Sequence, residues 1–312
     1  MDDSAALEPF SAMKKVMLTL IFGVVALDLI VVAVPWYSLA SLITWFFRPS
    51  ECSLSEVMNE LEVRSVSQAF APRLTIARTE AGLDLWNTPQ GPTWTVHGDT
   101  ILPFLLSEQV RDIYEPKGHE VRRGDIVLDC GANIGVFTRK ALSRGASLVV
   151  AIEPAPQTLN ALRQNFETEI RNGRVVAYPK GVWDHDAEME LSLDEANPGT
   201  NSLVMPRDAA TPKVRVPLTT IDEIVSELKL PRVDFIKMDI EGAEKPALKG
   251  AENTIKRFRP RMSLSTEHFA DDFTAIPELV HSIEPNYTHK ACDCVLKGKR
   301  IQALVMAFDP IH

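Results

Sequence analysis

The stretch VLDCGANIGVFTRKAL, from Val127 to Leu142, passes from an apolar run through a glycine-containing turn into a helical pattern. The apolar run predicts a strand covered on both faces. The turn has GxNxG spacing and begins with Asp129, whereas a dinucleotide-binding turn has GxGxxG and approaches a pyrophosphate. Because Asp129 would repel an anion, we expect a ligand with a cationic group, whose carboxylate could accept hydrogen bonds from the backbone N–H groups of the turn.

Four further apolar runs follow the first strand at regular intervals: SLVVAIE, RVVAYPKGV, VDFIKMD and RMSLSTEH. Helical patterns separate them, one introduced by Pro154 and Pro156 and another by a capping box at Thr220 and Glu223. This βαβ rhythm predicts a doubly wound, mostly parallel sheet. The tail from Tyr287 to Phe308 predicts an antiparallel hairpin at the edge of that sheet.

A second acidic residue, Glu153, ends the second predicted strand, near the ~20-residue offset at which an acid reaches a ribose in nucleoside-binding folds. A carboxylate can accept hydrogen bonds from two ribose hydroxyls at once. A lone Glu before a proline is more often an ordinary loop residue, but its place after the glycine turn favours a ligand contact.

Composition excludes some function classes. The 312-residue chain has a formal net charge of -9 and no basic stripe interleaved with aromatic residues, so we expect no nucleic-acid partner. Its four cysteines form no CxxC pair or zinc-type spacing, which predicts buried thiols, a reducing compartment and no metal site. Cys292 and Cys294, two apart on a predicted strand, are expected to share one face.

The N-terminal segment differs from the rest of the chain. The run from Val16 to Val34 is long enough to cross a bilayer, at about 1.5 Å of helical rise per residue. The segment from Pro35 to Phe47 is apolar and carries aromatic residues typical of the membrane interface. Residues 16–47 therefore predict a membrane anchor, with a cleavable signal peptide as the alternative. Asp28 within the span and the stretch from Trp36 to Phe47 suggest contact with other integral membrane proteins. The alternative for Asp28 is a carboxyl that is protonated or tolerated near one end of a tilted helix.

These patterns divide the chain into four predicted parts. An N-terminal tail covers residues 1–15 and the anchor residues 16–47. A connector with short lead-in strands covers residues 48–115, and the α/β domain covers residues 116–312. Positive charge is nearly balanced on the two sides of the anchor, so it does not fix the membrane orientation.

Four motifs occur in order along the predicted α/β domain: DCGANIGVFT, AIEPAPQTLNALRQN, TTIDEIVSELKLPRVDFIKMDIEGAEKPALKGA and LSTEH. Together they resemble the FkbM-type S-adenosylmethionine-dependent methyltransferase family, and KMDIEGAE is the most specific part. The resemblance covers about residues 118–269. It implies a Rossmann-like class I methyltransferase fold and S-adenosylmethionine as the cofactor.

The resemblance also implies roles for individual residues. Four residues of the turn would surround the methionine part of the cofactor: Asp129, Gly131, Asn133 and Gly135. Glu153 would hold the ribose hydroxyls, and Val182 or Trp183 would cover the adenine ring, with plain core packing as the alternative for Trp183.

Methyl transfer to a hydroxyl needs alignment and removal of a proton. His268, after the fifth strand, is the candidate base because a histidine pKa is ordinarily near neutral, although it could be a structural polar contact. Asp239 is the competing base, or else it holds the cofactor amine. The loop from Asn197 to Leu203 either closes over the acceptor or is simply exposed.

The sequence thus predicts a membrane-anchored O-methyltransferase acting on a glycan, a lipid-linked sugar or another hydroxylated small molecule. Its soluble domain is expected to face the cytoplasm, because S-adenosylmethionine is a cytosolic cofactor. The alternative is a structural or assembly subunit of a membrane complex that retains this fold. A nicotinamide-dependent oxidoreductase is disfavoured because GxGxxG is missing.

Overall fold

The computed structural model of the chain describes residues 65–194, 197–297 and 300–311, together with residues 43, 52, 53 and 57. The strands, numbered along the chain, are β1 (Thr75–Glu80), β2 (Leu83–Asn87), β3 (Thr93–Val96), β4 (Ile126–Cys130), β5 (Leu148–Ile152), β6 (Val175–Tyr178), β7 (Gly181–Val182), β8 (Ala187–Ser192), β9 (Lys213–Thr219), β10 (Phe235–Met238), β11 (Arg261–Ser265), β12 (Tyr287–Lys297) and β13 (Arg300–Pro310). The helices are α1 (Leu102–Val110), α2 (Val136–Arg144), α3 (Pro156–Asn165), α4 (Glu167–Arg171), α5 (Ile221–Glu227), α6 (Glu244–Lys249), α7 (Glu252–Phe258) and α8 (Asp272–Ile283).

The central feature is a seven-stranded sheet with the order β12-β13-β11-β10-β4-β5-β6. Strands β6, β5, β4, β10 and β11 pair in parallel, while β13 runs antiparallel to both β11 and β12. The predicted parallel sheet and edge hairpin are therefore confirmed. The chain builds outward from β4 in one direction and then returns to β10 on its other side, so the strand order reverses between β4 and β10.

The sheet is covered on both faces, as its apolar strands predict. Leu128 and Val150 pack on one face, and Val127 and Val149 on the other. All four side chains are fully buried. Burying a Val or Leu side chain stabilises a fold by about 1.5–3 kcal/mol, so burial of the central strands makes a large contribution to the stability of the sheet.

Local sequence signals define where two helices begin. Helix α3 starts at Pro156, where the missing proline N–H costs nothing because the first N–H groups of a helix lack intrahelical partners. Helix α5 is capped by Thr220, whose hydroxyl accepts a 2.9 Å hydrogen bond from the backbone N–H of Glu223. Both predicted starts are confirmed.

The segment before the main sheet folds onto its helices. The predicted lead-in strands are present as a separate sheet, β1-β2-β3. The side chain of Asn165 accepts a hydrogen bond from the N–H of Trp94 and donates one to its carbonyl, which holds β3 against the end of α3. Helix α1, not expected from the sequence, follows, and Leu102 and Leu106 pack with Ile134 beside the glycine turn. A third sheet, β7-β9-β8, lies beyond β6 in the chain.

The predicted membrane anchor, residues 16–47, lies outside the described residues except for residue 43. The same holds for Asp28 and for all of the stretch from Trp36 to Phe47 except that residue. Within the part of the chain that the structure describes, none of the helices combines the length and the apolar character needed to cross a bilayer. The anchor and its partners therefore stay predictions.

The cysteines differ from expectation. Cys52 and Cys294 form a disulfide, with their Cα atoms 6.3 Å apart, while Cys130 and Cys292 are buried thiols. Disulfides are typical of oxidising environments, so the cysteines do not support a reducing compartment. Cys292 and Cys294 also pack in different core clusters, on opposite faces of the sheet. The pairing of β12 with β13 is irregular around Asp293, and this irregularity breaks the alternation that the prediction assumed.

We expect Cys294→Ser to lower the free energy of unfolding by about 2–4 kcal/mol, because the disulfide closes a very long loop in the unfolded chain. The control is Cys292→Ser, which removes a thiol that forms no disulfide. Chemical denaturation with and without reductant measures the effect: reductant should destabilise the parent and the control but leave Cys294→Ser unchanged. Free thiols at both Cys52 and Cys294 in a non-reducing peptide map would contradict it.

Candidate active site

A cavity opens at the carboxyl ends of β4, β5 and β10, where the strand order reverses. Its walls come from α1, from the turn before α2, from the end of β5, from β7, from the 197–203 loop and from the segment after β10. In open α/β sheets, ligands bind at this switch point. The cavity is therefore the candidate active site.

The glycines of the turn are required by close packing. Gly131 has φ 73°, and a Cβ built on it would overlap the backbone carbonyl oxygen of Asp239. Gly135 has φ 90°, and a Cβ there would overlap the ring of Phe166. Both positions combine a left-handed backbone with no room for a side chain. Gly131 lines the cavity, whereas Gly135 lies at the start of α2 and holds the turn in place.

The backbone N–H groups of the turn are bonded within the protein. Those of Gly131 and Ala132 donate to the carbonyl oxygen of Ile152, and that of Asn133 donates to Glu153 Oε2. These three N–H groups are therefore already used, and the expectation that they donate hydrogen bonds to a ligand carboxylate is wrong. Their bonds instead join the turn to the end of β5, which makes this wall of the cavity rigid. Asn133 lines the cavity, and its buried Oδ1 has no hydrogen-bond partner among the described residues, so a polar ligand would fit there.

Asp129 lies beneath the cavity rather than in its wall. Its side chain is fully buried, accepts a 2.7 Å hydrogen bond from Thr138 Oγ1, and lies 3.6 Å from Lys237 Nζ. Burial raises the pKa of Asp129, while Lys237 opposes the rise. Asp129 thus acts on the site through Lys237, which does line the cavity.

Lys237 is a site residue that was not singled out from the sequence, although it lies in the KMDIEGAE motif. Its Nζ donates a 2.8 Å hydrogen bond to the carbonyl oxygen of Gly131, so it braces the turn from β10. Burial works against its charge, but Asp129 and Asp239 outweigh burial and raise its pKa. Lys237 is therefore a buried cation at the base of the cavity that lowers the pKa of Asp239 and limits the rise in the pKa of Asp129.

The carboxylate of Glu153 is held by two backbone N–H groups, and its contact with a ribose stays a prediction. Its Oε2 accepts from the N–H of Asn133 at 3.0 Å and its Oε1 accepts from the N–H of Ala155 at 2.9 Å. These bonds fix the carboxylate plane, and each oxygen keeps a second lone pair. The residue lines the cavity and is 7% exposed. Burial raises its pKa to about 7, and the two backbone hydrogen bonds limit that rise.

The wall formed by β7 is apolar. Val182 lines the cavity, as expected for a residue covering an adenine ring, while Trp183 packs with Leu191 and Leu218 in the cluster beneath the small sheet. Four residues of the predicted loop also face the cavity: Pro198, Gly199, Asn201 and Leu203. The structure therefore places this loop over the site, and the role of Val182 stays a prediction.

Asp239 follows β10 and lines the opposite wall. Its Oδ2 accepts a 2.7 Å hydrogen bond from the hydroxyl of Tyr114, and its Oδ1 lies 3.7 Å from His268 Nε2. Burial favours the neutral acid, but Lys237 and His268 outweigh burial and lower the pKa of Asp239. It is therefore an ionised carboxylate that can face a cationic ligand, and it is a weak base.

His268 lies next to Asp239, as expected, but its protonation differs from the prediction. Its Nε2 is 3.5 Å from Glu241 Oε2, and its Nδ1 is 3.3 Å from Glu244 Oε1. Burial disfavours its charge, but Glu241 and Glu244 reverse this and raise its pKa to about 11. The expected near-neutral pKa is therefore wrong, because acids that the sequence could not place surround the ring. An imidazolium has no free lone pair and cannot accept a proton.

The lead-in segment contributes two further groups that the sequence analysis did not identify. Glu108 on α1 and Tyr114 beyond it both line the cavity. Burial, and then the charge of Asp239, raise the pKa of Glu108 well above its ordinary value. The signal in the sequence that could have identified Glu108 is that it is the single acidic residue in the segment LPFLLSEQV. Glu108 and Asp239 place acidic groups on the side of the cavity away from Glu153.

The fold and the site can now be compared with known proteins. Residues 129–291, more than half of the chain, match the family model described as the Methyltransferase FkbM domain. The chain therefore belongs to the FkbM methyltransferase family, whose class is that of the S-adenosylmethionine-dependent methyltransferases.

Several named relatives share this region. Methyltransferase 1 of Beauveria bassiana is 29% identical, with 41% of this chain and 58% of the relative covered. The hexuronic acid methyltransferase AglP of Haloferax volcanii is 27% identical, covering 44% and 54%. The 2-O-methyltransferase NoeI of Sinorhizobium fredii is 29% identical, covering 43% and 60%. The matches thus span less than two thirds of each of these relatives.

A crystal structure of methyltransferase FkbM from Methylobacillus flagellatus aligns with a TM-score of 0.44 and 19% identity, covering 81% of this chain and 60% of that chain.

Proposed function

We propose that this protein is an S-adenosylmethionine-dependent O-methyltransferase that acts on a hydroxyl of a sugar or of another hydroxylated small molecule. The observation that carries the proposal is Glu153, whose two carboxylate oxygens are fixed by backbone N–H groups at the edge of the cavity. Two relatives support the acceptor class, since one is named a hexuronic acid methyltransferase and the other a 2-O-methyltransferase.

The residues present fit the cofactor. Glu153 would bind the two ribose hydroxyls, and Val182 would cover the adenine. Glu108 and Asp239 provide acidic groups for the cationic methionine end, where a pyrophosphate would be repelled. When bound, the cofactor supplies a methyl group activated on a positively charged sulfur.

The chain's own contribution is mainly alignment. The turn, Lys237 and Tyr114 hold Asp239 in one position through hydrogen bonds and charge. Residues of the loop from Asn197 to Leu203 line the cavity and would help to exclude water from it. Fixing two reactants in the correct geometry accounts for a large part of the acceleration of such displacements.

The membrane part of the proposal comes from residues 16–47. An anchor there would hold the site near a membrane surface and favour a lipid-linked sugar as the acceptor. The assembly-subunit alternative depends on Asp28 and on the stretch from Trp36 to Phe47. Purification in mild detergent separates the two, because an assembly subunit would retain a stoichiometric partner.

Binding of S-adenosylhomocysteine by the purified full chain tests the cofactor site. Val182→Phe should weaken binding roughly tenfold or more, because the added ring volume occupies the adenine side of the cavity. The control is Val110→Phe on α1, where the residue is 50% exposed and outside the cavity wall. Titration calorimetry gives the affinities, and release of S-adenosylhomocysteine in the presence of uronic acids or disaccharides gives turnover. A folded parent that binds no S-adenosylhomocysteine contradicts the proposal.

A further inference from the structure

Three potential metal ligands meet at the open side of the cavity. Asp239 and Glu241 follow β10, and His268 follows β11. The ligand atoms of the three side chains all lie within 4.8 Å of one another. His268 Nε2 is 3.7 Å from Asp239 Oδ1 and 3.5 Å from Glu241 Oε2. Both separations exceed the 2.7–3.2 Å typical of a direct hydrogen bond, so Nε2 makes no short bond to either carboxylate.

From this arrangement we propose that Asp239, Glu241 and His268 form a binding site for a divalent metal ion. A six-coordinate ion with bonds of about 2.1 Å places neighbouring ligand atoms about 3 Å apart. The two separations from His268 Nε2 therefore need to shrink by about 0.5–0.7 Å. One imidazole and two carboxylates suit an ion such as Mn²⁺ better than an all-oxygen ion such as Mg²⁺.

The surroundings of the three ligands match those of known metal sites. A ligating histidine usually directs its second ring nitrogen at a carboxylate, which fixes the ring. Here His268 Nδ1 lies 3.3 Å from Glu244 Oε1, and that oxygen is itself held by the N–H of Ile240 at 2.9 Å. Glu244 is 1% exposed, so it cannot turn away into solvent. Glu244 thus places a buried carboxylate behind the imidazole, near Nδ1, while Nε2 faces Asp239 and Glu241.

The two carboxylate oxygens of Asp239 face different partners. Its Oδ2 accepts from the hydroxyl of Tyr114, which leaves Oδ1 directed at His268 and at the proposed ion. Charge also favours occupancy. Three carboxylates, Asp239, Glu241 and Glu244, lie around the His268 imidazolium. Binding of a divalent ion would release the Nε2 proton to solvent, free that lone pair for the metal and place two positive charges where there was one.

Two of the ligands, Asp239 and Glu241, line the cavity. Three protein ligands leave further positions of a six-coordinate ion open towards that space. Those positions would bind and orient the hydroxyl oxygens of the acceptor, a role that rests on the proposed function, whereas metal binding itself does not. No metal site was expected from the sequence, because the cysteines lack zinc-type spacing and these three ligands come from two different strand ends.

Titration of the full, metal-stripped chain with Mn²⁺ tests the site, with free Mn²⁺ followed by electron paramagnetic resonance. One ion per chain is expected. Glu241→Gln and His268→Ala should each weaken binding at least tenfold, and Glu244→Gln should weaken it by about 10- to 100-fold without removing a ligand. The matched control is His185→Ala, since His185 also contacts a carboxylate, that of Asp184, but is exposed and outside the cluster. Circular dichroism confirms folding of each variant, and Glu241→Gln serves if His268→Ala does not fold.

A parent that binds Mn²⁺, Zn²⁺ or Mg²⁺ no more tightly than Glu241→Gln does would overturn the proposal. Calorimetry with S-adenosylhomocysteine on the same preparation separates this failure from failure of the proposed function. Cofactor binding without metal binding contradicts the proposed metal site and leaves the proposed function standing. Metal binding without cofactor binding supports the metal site and contradicts the proposed function.

Discussion

Gly131→Ala is expected to lower the free energy of unfolding by more than about 3 kcal/mol and to abolish cofactor binding in any protein that still folds. A Cβ at this position would overlap the backbone carbonyl of Asp239, which cannot rotate away as a side-chain tip could. To relieve this overlap, β4 and β10 would have to move apart at the end of β10 that positions Lys237 and Asp239. Thermal and chemical denaturation measure the first effect, and titration with S-adenosylhomocysteine measures the second.

The chain contains a matched control for this substitution. Gly173 has φ 70°, close to the 73° of Gly131, but a Cβ built on it has no neighbour within 4 Å. Gly173→Ala should therefore cost only the strain of a left-handed alanine, roughly 1–2 kcal/mol, with unchanged cofactor binding. Equal losses in the two variants would show that backbone strain, rather than the close approach of Asp239, makes the glycine necessary.

Much of the fold could be predicted because its signals are local. The apolar runs of β4, β5, β10 and β11 are continuous, and such strands occur when a sheet is covered on both faces. A doubly wound sheet of this kind has a point at which the strand order reverses, here between β4 and β10. Glu153 could be found for the same reason, since it stands directly after its strand.

The parts that could not be predicted depend on contacts between distant segments. Lys237 and Asp129 are 108 positions apart, and only pairing of β4 with β10 brings them together. Glu241 and Glu244 follow β10, and only the fold brings them to His268, which follows β11. Since the pKa of an imidazole depends on charges within a few ångströms, the residue type alone could not give its protonation state.

The disulfide and helix α1 were missed for related reasons. Sequence spacing cannot reveal that Cys52 meets Cys294, because 242 positions separate them. The irregular pairing around Asp293 places Cys294 on a different face from Cys292, and no local pattern marks that irregularity. The polar residues of helix α1, LPFLLSEQV, are consecutive rather than spaced three or four apart, so the sequence lacks the periodic polar face that identifies a surface helix.

Cofactor affinity is expected to rise roughly tenfold between pH 6 and pH 8, with Glu153 as the cause. Its pKa is raised to about 7, and only the carboxylate can accept hydrogen bonds from both ribose hydroxyls. The ionised fraction therefore grows from about a tenth to about nine tenths over this range. Glu153→Gln should weaken binding on the order of 100-fold and remove the pH dependence, because the amide offers one acceptor oxygen and no charge.

Stability should change with pH in the opposite direction. A carboxyl whose pKa is raised on folding stabilises the native state fully below its unfolded pKa of about 4.5, and this contribution is lost as pH rises through about 7. The shift corresponds to about 3 kcal/mol for Glu153. The difference in free energy of unfolding between the parent and Glu153→Gln should therefore fall from pH 4.5 to pH 8 in the absence of cofactor.

Opposite pH dependences of cofactor affinity and of the free energy of unfolding distinguish a binding residue from a structural one. Burial of Glu153 destabilises the empty protein at neutral pH, and ribose hydroxyls that donate to the carboxylate would offset that cost. Saturating S-adenosylhomocysteine should thus stabilise the parent more at pH 8 than at pH 6. Glu188→Gln, at an exposed position on β8, is the control and should follow the parent in every measurement. Cofactor affinity that stays flat from pH 6 to pH 8 in the parent would show that Glu153 does not hold the ribose.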